Sequence, residues 1–124
     1  MGEKNRRDSI KVLIVEDEPR ILRFMSISLK VSGYNVVSTM RGDHAIDLVK
    51  EEKPDIIILD VFLPGRDGFE VLRELRTFSQ LPVIVVSARD SLAPYALELG
   101  ANEFMAKPFK PEDLIKRIRA VLRE

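Results

Sequence analysis

Four places in this sequence put a charged or hydroxyl side chain at the carboxyl end of an apolar run. Glu16-Asp17 follows Lys11–Val15, Asp60 follows Ile56–Leu59, Ser87 follows Val83–Val86, and Lys107-Pro108 follows Glu103–Ala106. Stripping carboxylates of water is costly unless they are paired or hold a cation. Glu16, Asp17 and Asp60 gathered in one place would repel one another, so the set asks for a divalent metal. Magnesium fits: it prefers oxygen ligands and keeps several waters, so one or two carboxylates suffice. Lys107 adds a compact positive charge suited to a phosphate oxygen. The combination reads as a phosphate site, with Asp60 as the nucleophile whose carboxylate attacks phosphorus and forms an aspartyl phosphate. At the same sheet edge, the Ser87 hydroxyl could donate to the phosphoryl group.

Each of these residues also has a plainer explanation. Asp60 could be a turn or N-cap aspartate, and Ser87 a cap for the next helix. Glu16 and Asp17 could be helix N-terminal acids, which are mildly stabilising. Lys107 could be a surface lysine before a turn proline, and the Lys107-Pro108 bond is a candidate for the cis form, a built-in turn. The functional reading prevails because the elements that carry these residues should bring them together.

Lys11–Val15, Ile56–Leu59 and Leu81–Val86 are continuous apolar runs rich in β-branched residues. Such runs are strands buried on both faces, which implies a mostly parallel sheet between helix layers. Asn35–Thr39 alternates more and reads as an edge strand; Glu103–Ala106 is short and reads as the opposite edge. Helices are expected at Pro19–Ser32, Gly42–Glu52, Gly68–Arg76, Asp90–Leu99 and Pro111–Arg123. Pro19 and Pro111 suit first turns, Gly33 suits a C-terminal stop, and the basic end of the last helix suits its dipole. Asp90–Leu99 is the weakest, because Pro94 fits only a first turn. A regular helix should start close to Pro94 and run about two turns. Alternating β/α units give a doubly wound five-stranded parallel sheet of flavodoxin-like order 2-1-3-4-5. Right-handed crossovers then make the ends of strands one and three neighbours at the switch point, which sets Glu16-Asp17 against Asp60.

The chain has 124 residues, the size of one domain, and 45% of them are apolar. That is enough for a core without disulfides, and there is no cysteine. Nothing therefore suggests an oxidising compartment, a zinc site or thiol chemistry. No run approaches the ~18 apolar residues of a membrane span, and Met1–Ser9 lacks a signal-peptide apolar region. The expected organisation is a loose extension over 1–9 and one cytoplasmic domain over 10–124. The formal net charge is zero, which argues against direct nucleic-acid binding by this chain. His44, the single histidine, falls on the second helix away from the site and reads as solvated.

Four segments carry a resemblance. They are Leu13-Ile-Val-Glu-Asp-Glu, Ile58-Leu-Asp-Val-Phe-Leu-Pro-Gly-Arg-Asp-Gly-Phe-Glu, Pro82-Val-Ile-Val-Val-Ser-Ala-Arg and Gly100-Ala-Asn-Glu-Phe-Met-Ala-Lys-Pro-Phe. In order and on the expected strand ends, they resemble the signature segments of response-regulator receiver domains, over about residues 10 to 123. The resemblance implies a two-component signalling switch, regulatory rather than an enzyme on a separate substrate, which catalyses only its own phosphotransfer and dephosphorylation. A sensor histidine kinase would donate a phosphoryl group to Asp60. Asp17, Asp60 and the backbone carbonyl of Phe62 would hold Mg²⁺, with Glu16 acting through water. Ser87 and Lys107 would bind phosphoryl oxygens, and Phe104 would be the switch aromatic. The flavour is nearest the winged-helix transcription-factor class, which pairs receivers through helix four, strand five and helix five. That implies a C-terminal DNA-binding effector beyond Glu124 and a phosphorylation-dependent homodimer with Glu103 and Arg117 as a cross-dimer ion pair.

The family pattern is not matched throughout. The stretch from Ser87 to Lys107 is shorter than usual by about two residues, roughly half a helical turn. No Lys or Arg lies between Asp90 and Gly100, so Asp113 lacks its usual partner. These departures leave the acceptor site intact and weaken the standard dimer. Other functions fit less well. A haloacid-dehalogenase-like phosphatase needs a second Asp where Phe62 stands. A flavodoxin needs a phosphate-wrapping first loop, and Glu16-Asp17-Glu18-Pro19 would repel a flavin phosphate. A degenerate receiver used only for docking would not need the full set of acids, Ser87 and Lys107.

Overall fold

Continuous apolar runs do form the middle of the sheet. The computed structural model describes residues 10–123; the extension expected over 1–9 lies outside them. The strands are β1 (Lys11–Val15), β2 (Asn35–Thr39), β3 (Ile56–Asp60), β4 (Val83–Ser87) and β5 (Glu103–Ala106). All pair in parallel, in the order β2-β1-β3-β4-β5. Every residue of β3 and β4 is buried, whereas edge strands β2 and β5 are partly open.

Because side chains alternate along a strand, each central strand feeds two cores. Val12, Ile14, Ile56, Ile58, Ile84 and Val86 face the helices α1 (Pro19–Val31) and α5 (Pro111–Leu122), meeting Met25, Leu29, Leu114 and Ile118. On the other face, Leu13, Ile57, Leu59 and Val85 meet α2 (Ala45–Glu52), α3 (Gly68–Arg76) and α4 (Ala93–Glu98). A fully buried Ile, Leu or Val contributes about 1.5–3 kcal/mol. The strand ends, and the polar groups on them, are thus fixed by the core beneath.

Helix ends fall within one residue of those expected, and helix starts depart from them in two places. Residues 42–44 form a 3-10 turn and the second α-helix starts at Ala45. Gly42 is pressed against the loop after β3: its amide donates to the Pro64 carbonyl at 3.0 Å, and a Cβ there would lie 1.7 Å from the Arg66 carbonyl oxygen. Residues 90–92 likewise form a 3-10 turn, leaving α4 six residues long with Pro94 in its first turn. The fourth strand begins at Val83, not Leu81. Pro82 has no amide hydrogen to give the ladder, though its carbonyl still accepts from Ile57. Gly33, at φ 96°, ends α1 as expected.

Candidate functional site

The strand order brings the acids to one place. Val15 of β1 pairs with Leu59 of β3, so Glu16 emerges beside Asp60. The carboxylates of Glu16, Asp17 and Asp60 each offer an oxygen within 4.8 Å of the others. Glu16 is fully buried and Asp60 is 5% exposed, whereas Asp17 opens toward solvent. At an effective dielectric of 20, a like-charge pair at this separation costs about 3–4 kcal/mol, so the cluster needs a counter-charge.

Lys107 supplies it. Its Nζ donates to Glu16 Oε1 at 2.7 Å and to Asp60 Oδ2 at 3.0 Å. The cis Lys107-Pro108 peptide follows directly, and the Lys107 amide donates to the Ser87 carbonyl at 2.9 Å. The remaining oxygens of the two buried acids are also held. Asp60 Oδ1 accepts from the Val61 amide at 2.7 Å, and Glu16 Oε2 from the Glu18 amide at 3.0 Å. Burial pushes the Glu16 carboxyl above the usual glutamate range; the Lys107 and Glu18 hydrogen bonds offset part of this, and the Asp60 charge adds to it. Burial also opposes the Lys107 charge, yet the hydrogen bonds to Glu16 and Asp60 outweigh it and raise that amine above an ordinary lysine.

One carboxylate of the cluster is left over. Asp17 has no hydrogen-bond partner among the described residues. A free carboxylate beside two buried ones suits a hard cation, so the acidic set fits Mg²⁺.

Ser87 is fully buried at the end of β4. Its Oγ accepts from the Arg89 amide at 3.1 Å, a local turn; the 3-10 turn at 90–92 and α4 both begin without a side-chain cap, so Ser87 is not the helix cap of its plainer explanation. Phe104, half-buried on β5, packs against the core on the α2–α4 face. Glu103 and Arg117 are paired with each other within one chain, with Arg117 Nη1 at 2.5 Å from Glu103 Oε1. His44 is exposed.

Sequence reasoning missed how tightly the rim is organised. The Arg89 guanidinium lies 5.4 Å from the Phe62 ring centroid, so the loops after β4 and β3 touch across the mouth. It also missed that Lys107 joins two acids instead of waiting for an anion. Asp67 caps α3 through the Glu70 amide at 3.0 Å, which the Asp67-Gly-Phe-Glu70 spacing does signal.

The model of the response regulator receiver domain matches residues 12–119. The chain belongs to that family. Receivers of known structure superpose closely on it. The BeF3-activated N-terminal receiver domain of Klebsiella pneumoniae RstA is 34% identical with a TM-score of 0.87, covering 92% of this chain and 99% of its own. The chemotaxis response regulator CheY4 of Vibrio cholerae is 32% identical at a TM-score of 0.84, covering 90% and 98%. The Francisella response regulator 1452 receiver domain is 28% identical at 0.88, covering 93% and 98%. The chain is thus a receiver domain of two-component signalling, regulatory in kind, on the flavodoxin-like fold. No helix among the described residues of this receiver is long and apolar enough to cross a membrane.

Proposed function

We propose that this receiver takes a phosphoryl group from a sensor histidine kinase onto Asp60. The observation that carries the reading is the convergence of three carboxylates within 4.8 Å of one another, the two buried ones bridged by one lysine. A buried cluster of this kind is a poor choice for stability and a good one for charge chemistry. An Asp60 carboxylate oxygen forms the new O–P bond while the P–N bond to the donor imidazole breaks. The imidazole nitrogen leaves with the electron pair and takes up a proton. The Val61 amide holds the Asp60 carboxylate in place. Lys107 pairs with the incoming phosphoryl oxygens, and Ser87 turns its hydroxyl from the Arg89 amide to the same group. Asp17, Asp60 and the Phe62 carbonyl would hold Mg²⁺, with Glu16 acting through water; when bound, the ion neutralises phosphoryl charge. Water attack on the acyl phosphate then returns Asp60, so the domain catalyses its own reset.

The phosphoryl charge is read out through Phe104 and the surface of α4, β5 and α5, which passes the signal to an output such as a DNA-binding effector. Pairing of two phosphorylated domains would use α5. Glu103 and Arg117 satisfy each other within the chain, so a dimer would exchange one such pair for another, and its gain must come from packing.

The test is direct. Incubated with Mg²⁺ and acetyl phosphate, the wild type should gain the mass of one phosphoryl group and Asp60→Ala should gain none. Equal yield in the two proteins would remove Asp60 from its role. A wild type that gains nothing, even from a kinase, would mark a docking module instead. Asp17→Asn should weaken Mg²⁺ about tenfold or more, followed by fluorescence or calorimetry; wild-type affinity would move the metal elsewhere.

A further inference from the structure

One cluster outside the acidic pocket connects the elements that begin at Asp60 and at Ser87. Tyr95, on α4, packs edge-on against Phe69 of α3, with ring centroids 4.9 Å apart and planes at 88°. The Arg73 guanidinium, one turn along α3, lies 5.8 Å from the Tyr95 centroid and donates to its hydroxyl. Arg73 makes no ion pair among the described residues, although Glu70 and Glu74 share its helix. Its charge is committed to the tyrosine.

α4 needs such a contact. Its single buried residue is Ala96, against four in α3, so little apolar burial holds it down. Tyr95 is 38% exposed and reaches across to α3 instead of into the core. At the other end of the link, Phe69 follows Gly68, whose Cα lies so close to the Asp60 carbonyl that a Cβ would sit 2.1 Å from its oxygen. A short path thus runs from Asp60 through Gly68, Phe69 and Tyr95 into α4, and back through residues 88–92 to Ser87.

We propose that Phe69, Arg73 and Tyr95 form a latch that holds α4, and with it the loop after Ser87, in the resting arrangement. In that arrangement the Ser87 hydroxyl is occupied by its own Arg89 amide. The inference rests on the phosphoryl-acceptor reading above, because the latch matters when Ser87 is called to a bound anion. Opening it is a cost taken from the anion's binding energy: apparent affinity falls by the fraction of molecules already competent.

The probe is beryllofluoride with Mg²⁺, a tetrahedral stand-in for a phosphoryl group, read by fluorescence or calorimetry. Arg73→Ala, at an exposed helical position, and Tyr95→Phe should each tighten beryllofluoride about two- to fivefold. The double variant should gain no more than the better single one, since both remove one bond. Unchanged or weaker binding in Arg73→Ala would overturn the latch. Hydrogen exchange of the Leu97 to Ala101 amides in the unliganded variants gives a reading independent of the anion. Faster exchange there is expected, and wild-type rates would overturn the proposal even if beryllofluoride binds. A wild type that does not bind beryllofluoride at all would instead fault the acceptor reading, and hydrogen exchange would still decide whether the latch holds α4.

Discussion

The loops leaving β3 and β4 start from equally buried strands and both end in a helix, yet they are held in different ways. The loop after β3 is fastened at both ends and in the middle. Its Val61 is 2% exposed, the Gly68 amide returns to the Val61 carbonyl at 2.7 Å, and the Gly42 amide reaches in to Pro64. Arg66 pairs with Glu74, and α3 then buries Val71, Leu72 and Leu75. The loop after β4 has an Oγ turn at Ser87 and a 3.2 Å bond from the Leu92 amide to the Arg89 carbonyl. Residues 88–91 are exposed, and the helix that follows buries one alanine. The nucleophile proposed above, Asp60, stands at the head of the first loop. A response that needs movement has the second available, at low cost in lost contacts.

The contrast can be broken most forcefully at Gly68. An alanine there must displace backbone, because its Cβ would lie 2.1 Å from the Asp60 carbonyl oxygen. Gly68→Ala should lose about 2–3 kcal/mol in urea unfolding; wild-type stability would mean that the first loop is looser than its contacts imply. A milder comparison uses hydrogen exchange in the unmodified protein. The Arg89 and Leu92 amides should exchange at least about tenfold faster than those of Gly68 and Val71, and equal protection would erase the distinction. The smallest effects should come from the rim and the far face. Arg89→Ala removes a cation–π contact with Phe62 and should cost no more than about 1 kcal/mol. Arg117→Ala opens a pair that is 46% and 39% exposed and should cost less still, by thermal unfolding. A larger loss at Arg89 than at Gly68 would reverse the assignment of fixed and movable loops.

The same contrast explains how much could be read from the sequence. β1, β2 and β5 fall where their apolar patterns place them, and α3 spans the expected Gly68–Arg76. Burial on both faces leaves a continuous apolar signal, and topology alone then sets Glu16 beside Asp60. Residues 42–44 and 90–92 lead directly into Ala45–Glu52 and Ala93–Glu98, and local sequence does not separate a 3-10 turn from the first turn of an α-helix. What tightens the first of them is a contact with residues 64–66, far away in sequence, which no local pattern records. The Phe62–Arg89 and Phe69–Tyr95 pairs were illegible for the same reason: each joins elements that share no period. Lys107 was read as an anion ligand from its charge and strand-end position. Its resting role as a bridge depends on distances of 2.7 and 3.0 Å that only the assembled sheet defines.

That bridge separates two properties that many metal-binding domains tie together. Where a cation is the sole counter-charge of an acidic cluster, its supply governs whether the chain folds. Here Lys107 bridges the two buried acids from within and offsets part of their charge, so the fold has a counter-charge that does not depend on magnesium. On the phosphoryl-acceptor reading proposed above, magnesium scarcity would slow the chemistry more than it would unfold the domain.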